Sequence, residues 1–355
     1  MPAFKDRFDL EPGPLGLLLL ALAGGAILSF PMAGALSEKW GASRLTLRCA
    51  WLYGPALVLL AVAPTVWSLG LALAVFGFMH GAMDVAMNGW GARVETRIGK
   101  STMSIFHALF SLGAGLGAAT AYFAARGGAT LELHFLAVAA IGGAASLAVM
   151  IPAAGKDASA TAAADTPLFA LPTGRLALVG LIAFAISMGE GAMADWSAVF
   201  LKLALDVADA QAALGYALFS VAMVITRLAG GYLTERLGPV ATVRMSGLIG
   251  ALGLLVAITA QTLPMALIGF AITGVGYAVV MPLVFSRAAR DPDMPSGPAI
   301  ASVAIFGYGG MLLGPPTIGF VAQLTGLSLS FLVLVALSCL AAALAGQVRT
   351  RGADG

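Results

Sequence analysis

One short sequence occurs twice, and its recurrence constrains the fold more than any other feature of the chain. Residues 34–41 read GALSEKWG and residues 231–238 read GYLTERLG, so both fit the pattern G-x-L-x-E-[K/R]-x-G. The offset between the copies is 197 residues (34 to 231). Each copy closes a long apolar segment and precedes a short basic stretch and a further apolar segment. A repeat on this scale indicates that the chain contains two copies of one design.

The residue types of the repeat indicate a contact that can be made and broken, which we call the latch. Its small residues allow two helices to approach closely. Its carboxylate can accept hydrogen bonds from backbone or Arg groups, and its base can contact the carbonyl end of a helix. The predicted latch residues are Gly34, Glu38, Lys39 and Gly41 in the first copy and Gly231, Glu235, Arg236 and Gly238 in the second, together with Arg227 just ahead of the second copy.

The amount of charge excludes a water-soluble globule. Soluble domains carry about a quarter charged residues, whereas this chain carries 10%, with 60% hydrophobic residues and a mean hydropathy of +0.95. Too few polar groups are present to cover a soluble surface, so the surrounding medium is predicted to be lipid. Cys49 and Cys339 both lie in apolar runs, and we predict buried thiols rather than a disulfide.

A helix needs about 20 apolar residues to cross the hydrocarbon core, and eleven segments meet this length. The segment between the fifth and the sixth, residues 152–174, is too polar to span and is predicted to be a linker. It separates an N-terminal bundle, 1–151, from a C-terminal bundle, 175–355. The predicted helices lie near 14–36, 46–64, 67–91, 101–125, 131–151, 175–203, 211–234, 242–261, 263–287, 297–323 and 327–347.

The distribution of basic residues predicts the orientation in a bacterial inner membrane. Of the 19 Lys and Arg residues, fourteen fall in one set of alternate loops, four in the other set, and Arg227 falls within a helix. Because basic residues concentrate on the cytoplasmic side, the linker and the C-terminus are expected to be cytoplasmic. The N-terminus of this chain is then expected outside.

The repeat also indicates that the first half has one helix fewer than the second. Two helices precede the latch in the second half, but only one precedes it in the first, and the offset aligns Lys5 with Lys202. One explanation is that Met1 is internal to a longer gene. The other is that the protein has eleven spans. We favour the first, since an incomplete half would leave the central cavity open to lipid.

These features resemble the major facilitator superfamily, whose signature is usually written G-x-L-a-D-R-x-G-R-[R/K]. Here Glu38 and Glu235 replace the Asp, and Ala42 and Val240 stand where a base is usual. Residues 307–316, GYGGMLLGPP, resemble the Gly-Pro helix motif of the superfamily, although they lie in the second half. The resemblance implies an all-α membrane fold of two pseudo-symmetric helix bundles, usually with twelve helices.

A narrower resemblance concerns the branch of the superfamily that contains YbjJ and MosC. It rests on residues 81–88, GAMDVAMN, on Glu95, and on residues 104–107, SIFH. By analogy with the superfamily, the predicted helices 67–91, 175–203 and 263–287 line the solute path. The branch resemblance implies a sugar- or inositol-like solute.

Ionisable residues within a spanning helix cost several kcal/mol and usually face a cavity or a partner. His80, Asp84 and Asn88 are four residues apart, so they form one polar stripe. His107 on the next helix lies at a depth similar to that of Asp84. Because histidine titrates near neutral pH, Asp84 and His107 are candidates for a pair that carries protons. A polar bridge that fixes helix packing is the equally weighted alternative.

Glu190 is the leading single candidate for binding a proton or the solute. It lies near the predicted midplane, and Gly189, Gly191 and Ala192 leave room around it. For Arg227, a structural pairing with an acid or with carbonyl groups is favoured over direct contact with the solute. Pro282, and Pro315 with Pro316, are expected to bend their helices because proline lacks a backbone donor.

Several kinds of chemistry have no motif in this sequence. No phosphate-binding G-x-x-x-x-G-K-[S/T] occurs, so ATP is not expected to drive the protein directly. No nucleophile elbow, HExxH motif or Cys cluster is present, so neither an enzyme nor a cofactor or metal centre is predicted. A cation site at His80, Asp84 and Asn88 is geometrically possible and disfavoured.

The predicted function is secondary active transport of a small solute by alternating access, coupled to protons. The predicted partners are the solute, protons and the lipid bilayer, with no nucleic acid and with the chain as a monomer. One alternative is a proton antiporter for drugs or amphiphiles. Another is a membrane sensor or scaffold that retains the fold without transporting.

Overall fold

The computed structural model describes residues 4, 7–10, 12–154 and 172–349, and the helices in these ranges follow the predicted segments. The first half contains α1 (Pro12–Trp40), α2 (Ala42–Ala61), α3 (Val66–Ile98), α4 (Met103–Arg126) and α5 (Leu131–Ala153). The second half contains α6 (Gly174–Leu205), α7 (Asp209–Ala212), α8 (Leu214–Leu237), α9 (Pro239–Ile258), α10 (Leu263–Tyr277), α11 (Val280–Ala289), α12 (Ser296–Thr325), α13 (Leu327–Ser330) and α14 (Leu332–Ala343), followed by a 3-10 turn, Leu344–Val348.

The predicted count of eleven apolar segments agrees with these helices. Over the described residues, 10 helical segments are long and apolar enough to cross a membrane, with α10–α11 and α13–α14 each forming one segment. The eleventh is α2, which has 20 residues and includes Arg44 and Arg48 near its start. These two arginines lower its hydropathy without shortening the helix. Most of the predicted linker, residues 155–171, lies outside the described residues.

The duplication is visible in the helix boundaries. Both ends of α2 and α9 are 197 residues apart, and so are the first residues of α3 and α10. The glycines that end the two latch sequences also share one backbone conformation, with φ 87° and ψ 138° at Gly41 and φ 77° and ψ 156° at Gly238. A positive φ favours glycine because other residues meet steric strain there. The final glycine of the repeat is therefore required by the turn between two spanning helices.

Contacts between Cα atoms divide the chain into two compact units. The first unit contains Met1–Trp90, Gly113–Ala170 and Met294–Ala301. The second contains Gly91–Leu112, Leu171–Asp293 and Ser302–Gly355. Each unit therefore consists mainly of one half of the chain and includes one short segment from the other half.

The second unit has a continuous apolar core built around α6. Ile182, Ile186 and Met193 of α6 are fully buried, and Phe200 stacks on Phe331 with ring centroids 5.1 Å apart. In the first unit, α5 has no buried residue, and Ile141 and Val149 are about three-quarters exposed at 74% and 75%. Apolar side chains exposed along a whole spanning helix fit contact with lipid.

The two cysteines differ in their surroundings. Cys49 is buried and Cys339 is exposed, and both are free. The absence of a disulfide agrees with the prediction, but the predicted burial of Cys339 is wrong. An apolar run cannot by itself distinguish the side of a spanning helix that packs inward from the side that faces outward.

Candidate functional site

The first latch ties α1 to the start of α12 within the first unit. Glu38 Oε1 accepts a hydrogen bond of 2.7 Å from the backbone N–H of Gly297, the second residue of α12. The first N–H groups of a helix lack partners within the helix and carry the positive end of its dipole. A Cβ atom on Gly34 would lie 3.0 Å from the Gly297 carbonyl oxygen. The glycine therefore permits the close approach that brings Glu38 to this helix terminus.

The second latch repeats this arrangement inside the second unit. Glu235 Oε1 accepts a hydrogen bond of 3.2 Å from the backbone N–H of Ser101, just before α4 begins. Gly231 approaches the carbonyl oxygen of Ser101 so closely that any Cβ at this position would clash. In both copies, the glycine and the glutamate thus contact the start of a helix from the opposite half of the chain. The basic residues of the two latches, Lys39 and Arg236, are exposed, so their positions are less constrained than those of the glycines.

Glu95, near the end of α3, has more polar partners than either latch glutamate. It is 2% exposed and accepts hydrogen bonds from the backbone N–H groups of Thr102 and Met103 at 2.9 and 2.8 Å. It also accepts from Ser286 Oγ and pairs with Arg290 Nη2 at 2.8 Å. The buried carboxylate is therefore neutralised and hydrogen-bonded, as a stable buried charge requires.

A cavity of about 410 Å³ adjoins Glu95 in the second unit. It is lined by Glu95, Thr96, Gly99, Lys100, Ser101, Thr234, Pro239, Leu283, Ser286, Arg287, Arg290 and Val348. Its wall thus contains the end of α3, the residues before α4, the end of α8 and the end of α11. Sequence reasoning did not place Glu95 in a site. The sequence feature that could have indicated a site is that Glu95 is a single acid among three bases, Arg93, Arg97 and Lys100.

The predicted polar stripe on α3 lies on one unbroken helix of 33 residues. Asn88 Nδ2 donates to the backbone oxygen of Asp84 at 2.9 Å and to Asp84 Oδ1 at 3.1 Å. His80 Nδ1 is hydrogen-bonded to the Tyr53 hydroxyl at 2.9 Å. Asp84 and Asn88 therefore form one local pair, and His80 is tied to the neighbouring helix α2. In the described residues, no group of three or more metal-ligating side chains could hold a metal ion.

His107 belongs to the second unit, whereas Asp84 belongs to the first. The His107 ring stacks on Phe285 of α11, with centroids 5.9 Å apart and planes at 22°. The pairing of Asp84 with His107 stays a prediction.

Glu190 and Arg227 form a buried ion pair in the second unit. Glu190 Oε1 of α6 lies 3.5 Å from Arg227 Nη2 of α8. The two side chains are 22% and 9% exposed, respectively, and Oε1 itself is inaccessible and has no hydrogen-bond partner among the described residues. Arg227 therefore lies beside an acid, and the structural role expected for it stays a prediction. Glu190, the acid of this pair, is the leading candidate for binding a proton or the solute.

Three further hydrogen bonds hold Arg227 in place. Its Nη1 donates to Ser111 Oγ at 2.7 Å, and its Nε donates to the backbone oxygen of Ala278 at 3.0 Å. Ser104 Oγ in turn donates to the backbone oxygen of Arg227 at 2.7 Å. The guanidinium thus joins α4, α6, α8 and the segment between α10 and α11.

Comparison with known proteins decides the family. The model of the Major Facilitator Superfamily matches residues 1–296 and, in a second match, residues 179–352. The chain belongs to the major facilitator superfamily. It is accordingly a multi-pass membrane transporter, and the expectation that it is not an enzyme is confirmed.

Relatives within the superfamily agree with the branch that the sequence resembles. A transporter of Sinorhizobium fredii, y4wD, is 42% identical over 346 residues, which cover 97% of this chain and 91% of the relative. An MFS-type transporter of Yersinia pestis is 37% identical over 99% of this chain and 90% of the relative. The membrane protein MosC of Rhizobium meliloti is 29% identical over 96% of this chain and 83% of the relative.

Solved structures of the superfamily share the fold at low sequence identity. The crystal structure of the E. coli fucose:proton symporter FucP superposes with a TM-score of 0.78 at 15% identity, covering 98% of this chain and 93% of FucP. The proton:xylose symporter XylE gives 0.78 at 15% identity, with coverage of 96% and 89%. The human organic anion transporter MFSD10 gives 0.74 at 19% identity, with coverage of 93% and 83%. The predicted fold of two helix bundles is therefore confirmed.

Proposed function

We propose that this transporter moves a small solute by alternating access and that Glu190 carries the coupled proton. The buried ion pair of Glu190 and Arg227 is the observation that supports this most directly. A carboxylate at this depth is stable only while its charge is compensated. Taking up a proton removes the negative charge and leaves Arg227 without its counter-ion. Protonation therefore changes which arrangement of the surrounding helices is favoured.

The latches support the alternating-access part of the proposal. Glu38 and Glu235 each accept a hydrogen bond from a backbone N–H group near the start of a helix that belongs to the other half of the chain. Glu95 accepts hydrogen bonds from backbone N–H groups at the start of the next helix, α4. Glu95 also binds Arg290 from the second half. Rocking of bundle 1–151 against bundle 175–355 requires the contacts between the halves to separate and form again. These hydrogen bonds and the Glu95–Arg290 pair are polar and can also be satisfied by water, so their separation can be reversible.

Membrane placement is part of the same proposal. The protein is proposed to lie in the bacterial inner membrane, and the concentration of basic residues in the loops that contain the latches predicts that the latches and the C-terminus are cytoplasmic. Labelling of single cysteines introduced at Lys100 and at Arg126, in a background without Cys49 and Cys339, tests this orientation. A membrane-impermeant reagent applied outside whole cells should reach position 126 and leave position 100 unmodified. The reverse pattern contradicts the proposal.

Sugars and cyclic polyols are the solute class that we propose first. FucP and XylE are named as sugar symporters that use protons, and their fold is shared with this chain. We suggest a panel of fucose, xylose and myo-inositol, added to liposomes that contain the full chain and an internal pH dye. A solute that is carried with protons acidifies the lumen.

Glu190→Gln is the decisive variant in this assay. We expect it to remove the solute-dependent acidification while exchange of labelled solute across the membrane continues. Glu132→Gln is the matched control, because Glu132 also lies in a spanning helix but is exposed and pairs with Arg7 at the surface. Retained acidification in Glu190→Gln removes this residue from proton coupling. Release of protons on adding an amphiphilic cation instead favours the antiporter alternative.

A further inference from the structure

The carbonyl group of Ala278 occupies an exceptional position in the spanning segment Leu263–Ala289. In an unbroken helix, this oxygen accepts a hydrogen bond from the backbone N–H four residues later. The residue there is Pro282, which has no N–H. The helix is interrupted at the same place, since α10 ends at Tyr277 and α11 begins at Val280. Within a bilayer, water cannot replace the missing donor, so protein must do so.

Arg227 supplies the replacement. Its Nε donates to the Ala278 oxygen at 3.0 Å, while its Nη2 lies 3.5 Å from Glu190 Oε1. The guanidinium is planar and its nitrogens are fixed relative to one another. Rotation that brings Nη2 nearer to Glu190 or takes it away therefore also changes the hydrogen bond at Ala278. One rigid group connects the charged site with the helix interruption.

We propose that Arg227 is a positioning residue that couples the protonation of Glu190 to the geometry of the interruption between α10 and α11. The proposal rests on the function proposed for Glu190. When Glu190 is charged, it holds the guanidinium in the orientation that satisfies Ala278. When Glu190 takes up a proton, that attraction is lost and the α10–α11 interruption is free to change its angle.

Other titratable groups act on the same pair and belong to the coupling. His107 of α4 interacts electrostatically with Arg227, and Tyr277 of α10 interacts with Glu190 and with Cys339. The Tyr277 hydroxyl is hydrogen-bonded to Ser338 Oγ of α14 at 2.8 Å. Arg227 is the residue that both pairs with Glu190 and donates to the Ala278 carbonyl oxygen, so its substitution tests this link directly.

The first test is a double-mutant cycle on the full chain, with the melting temperature in detergent as the readout. Arg227→Met should lower the melting temperature because Ala278 loses its donor and Glu190 loses its cation. Pro282→Ala supplies a backbone N–H four residues after Ala278, so it should recover part of that loss in the Arg227→Met background. Pro55→Ala is the matched control, since Pro55 lies inside α2 of the first unit, and it should recover nothing. Additive effects of Arg227→Met and Pro282→Ala overturn the proposal.

The second test follows the protonation of Glu190 directly. Infrared spectra are recorded across a pH series. The band of a protonated carboxyl group that is missing in Glu190→Gln is assigned to Glu190, and its intensity reports the protonation of this residue. Pro282→Ala should change the proton affinity of this group by about threefold or more, which is half a pH unit, and Pro55→Ala should leave it unchanged. An unchanged midpoint in Pro282→Ala overturns the coupling. A spectrum with no titrating Glu190 band contradicts the proposed proton site, and the melting cycle then still reports on Arg227 and Pro282.

Discussion

The helix α3 and the segment α10–α11 occupy the same place in the two copies of the repeat, yet only the second is interrupted. They begin 197 residues apart, at Val66 and Leu263. α3 continues for 33 residues, whereas its counterpart stops at Tyr277 and resumes at Val280. The residue that corresponds to Pro282 is Val85, which is fully buried. The interruption therefore lies just before a proline that the first copy lacks.

The two copies also satisfy their polar groups differently. In α3, Asn88 donates to Asp84 of the same helix. In the second copy, Ala278 depends on Arg227, which belongs to α8. The residue that corresponds to Arg227 in the first copy is Phe30, which is fully buried. The duplication thus preserved the helical frame and the latches, while the buried cation is present only in the second copy.

The largest expected effect concerns Glu95, whose position corresponds to Pro292 in the second copy. Glu95→Ala leaves the buried N–H groups of Thr102 and Met103 without their acceptor and removes the partner of Arg290. A buried donor without its acceptor costs about 1–3 kcal/mol, and two lose theirs here, so the melting temperature should fall sharply although Arg290 is 41% exposed and can be hydrated. Glu132→Ala, at an exposed pair, is the control and should have little effect. A small loss in Glu95→Ala would show that the cluster adds little to stability.

The next effect tests the helix comparison directly. Val85→Pro places a proline where the first copy has none, and it removes the N–H that serves the carbonyl group of Gly81. Proline inside a helix costs about 3 kcal/mol or more. The first copy has Phe30 where the second has Arg227, and the phenylalanine side chain cannot donate a hydrogen bond to the Gly81 carbonyl oxygen. We expect a strongly lowered melting temperature or a failure to accumulate in the membrane. If Val85→Pro folds as well as the natural chain, the role assigned to Arg227 at Ala278 is weakened.

The helix frame was predictable because it follows from local patterns. Apolar length and the offset between the two G-x-L-x-E-[K/R]-x-G sequences located all eleven segments and indicated that the chain is duplicated. Pro282 predicted a bend, since its missing N–H is a property of the residue itself. The donor that compensates for it, Arg227, lies 51 positions before Ala278, and no local pattern encodes that contact.

The same limit applies to the candidate sites. The sequence placed Glu190 and Arg227 inside the membrane and described each separately, since pairing depends on how α6 and α8 pack. Glu95 lies beyond the predicted end of the helix 67–91, and it is buried because Thr102, Met103 and Ser286 surround its carboxylate. Sequence therefore indicates which charges lie in an apolar environment, and packing decides which of them are paired.

The two latches should differ in strength. Glu38 contacts Gly297 at 2.7 Å and is partly buried, whereas Glu235 contacts Ser101 at 3.2 Å and is exposed. A carboxylate at a helix N-terminus contributes typically 0.3–1 kcal/mol and up to about 2 kcal/mol when partly buried. Glu38→Gln should therefore lower the melting temperature more than Glu235→Gln does, and added salt should reduce the effect of Glu235→Gln first. Equal effects would indicate that the two copies function as equivalent latches.

The smallest effect is expected for Asp84→Asn in α3. The asparagine side-chain oxygen can still accept from Asn88 Nδ2, so the change in stability should stay within about 1 kcal/mol, the size of one ordinary hydrogen bond. If the buried ion pair of the second copy alone carries the proton, solute-dependent acidification of liposomes should persist in Asp84→Asn and vanish in Glu190→Gln. Loss of acidification in Asp84→Asn, with the melting temperature unchanged, would instead make Asp84 part of the proton path. Both copies of the repeat would then contribute a titrating carboxylate, and the pairing of Asp84 with His107 would be the next contact to test.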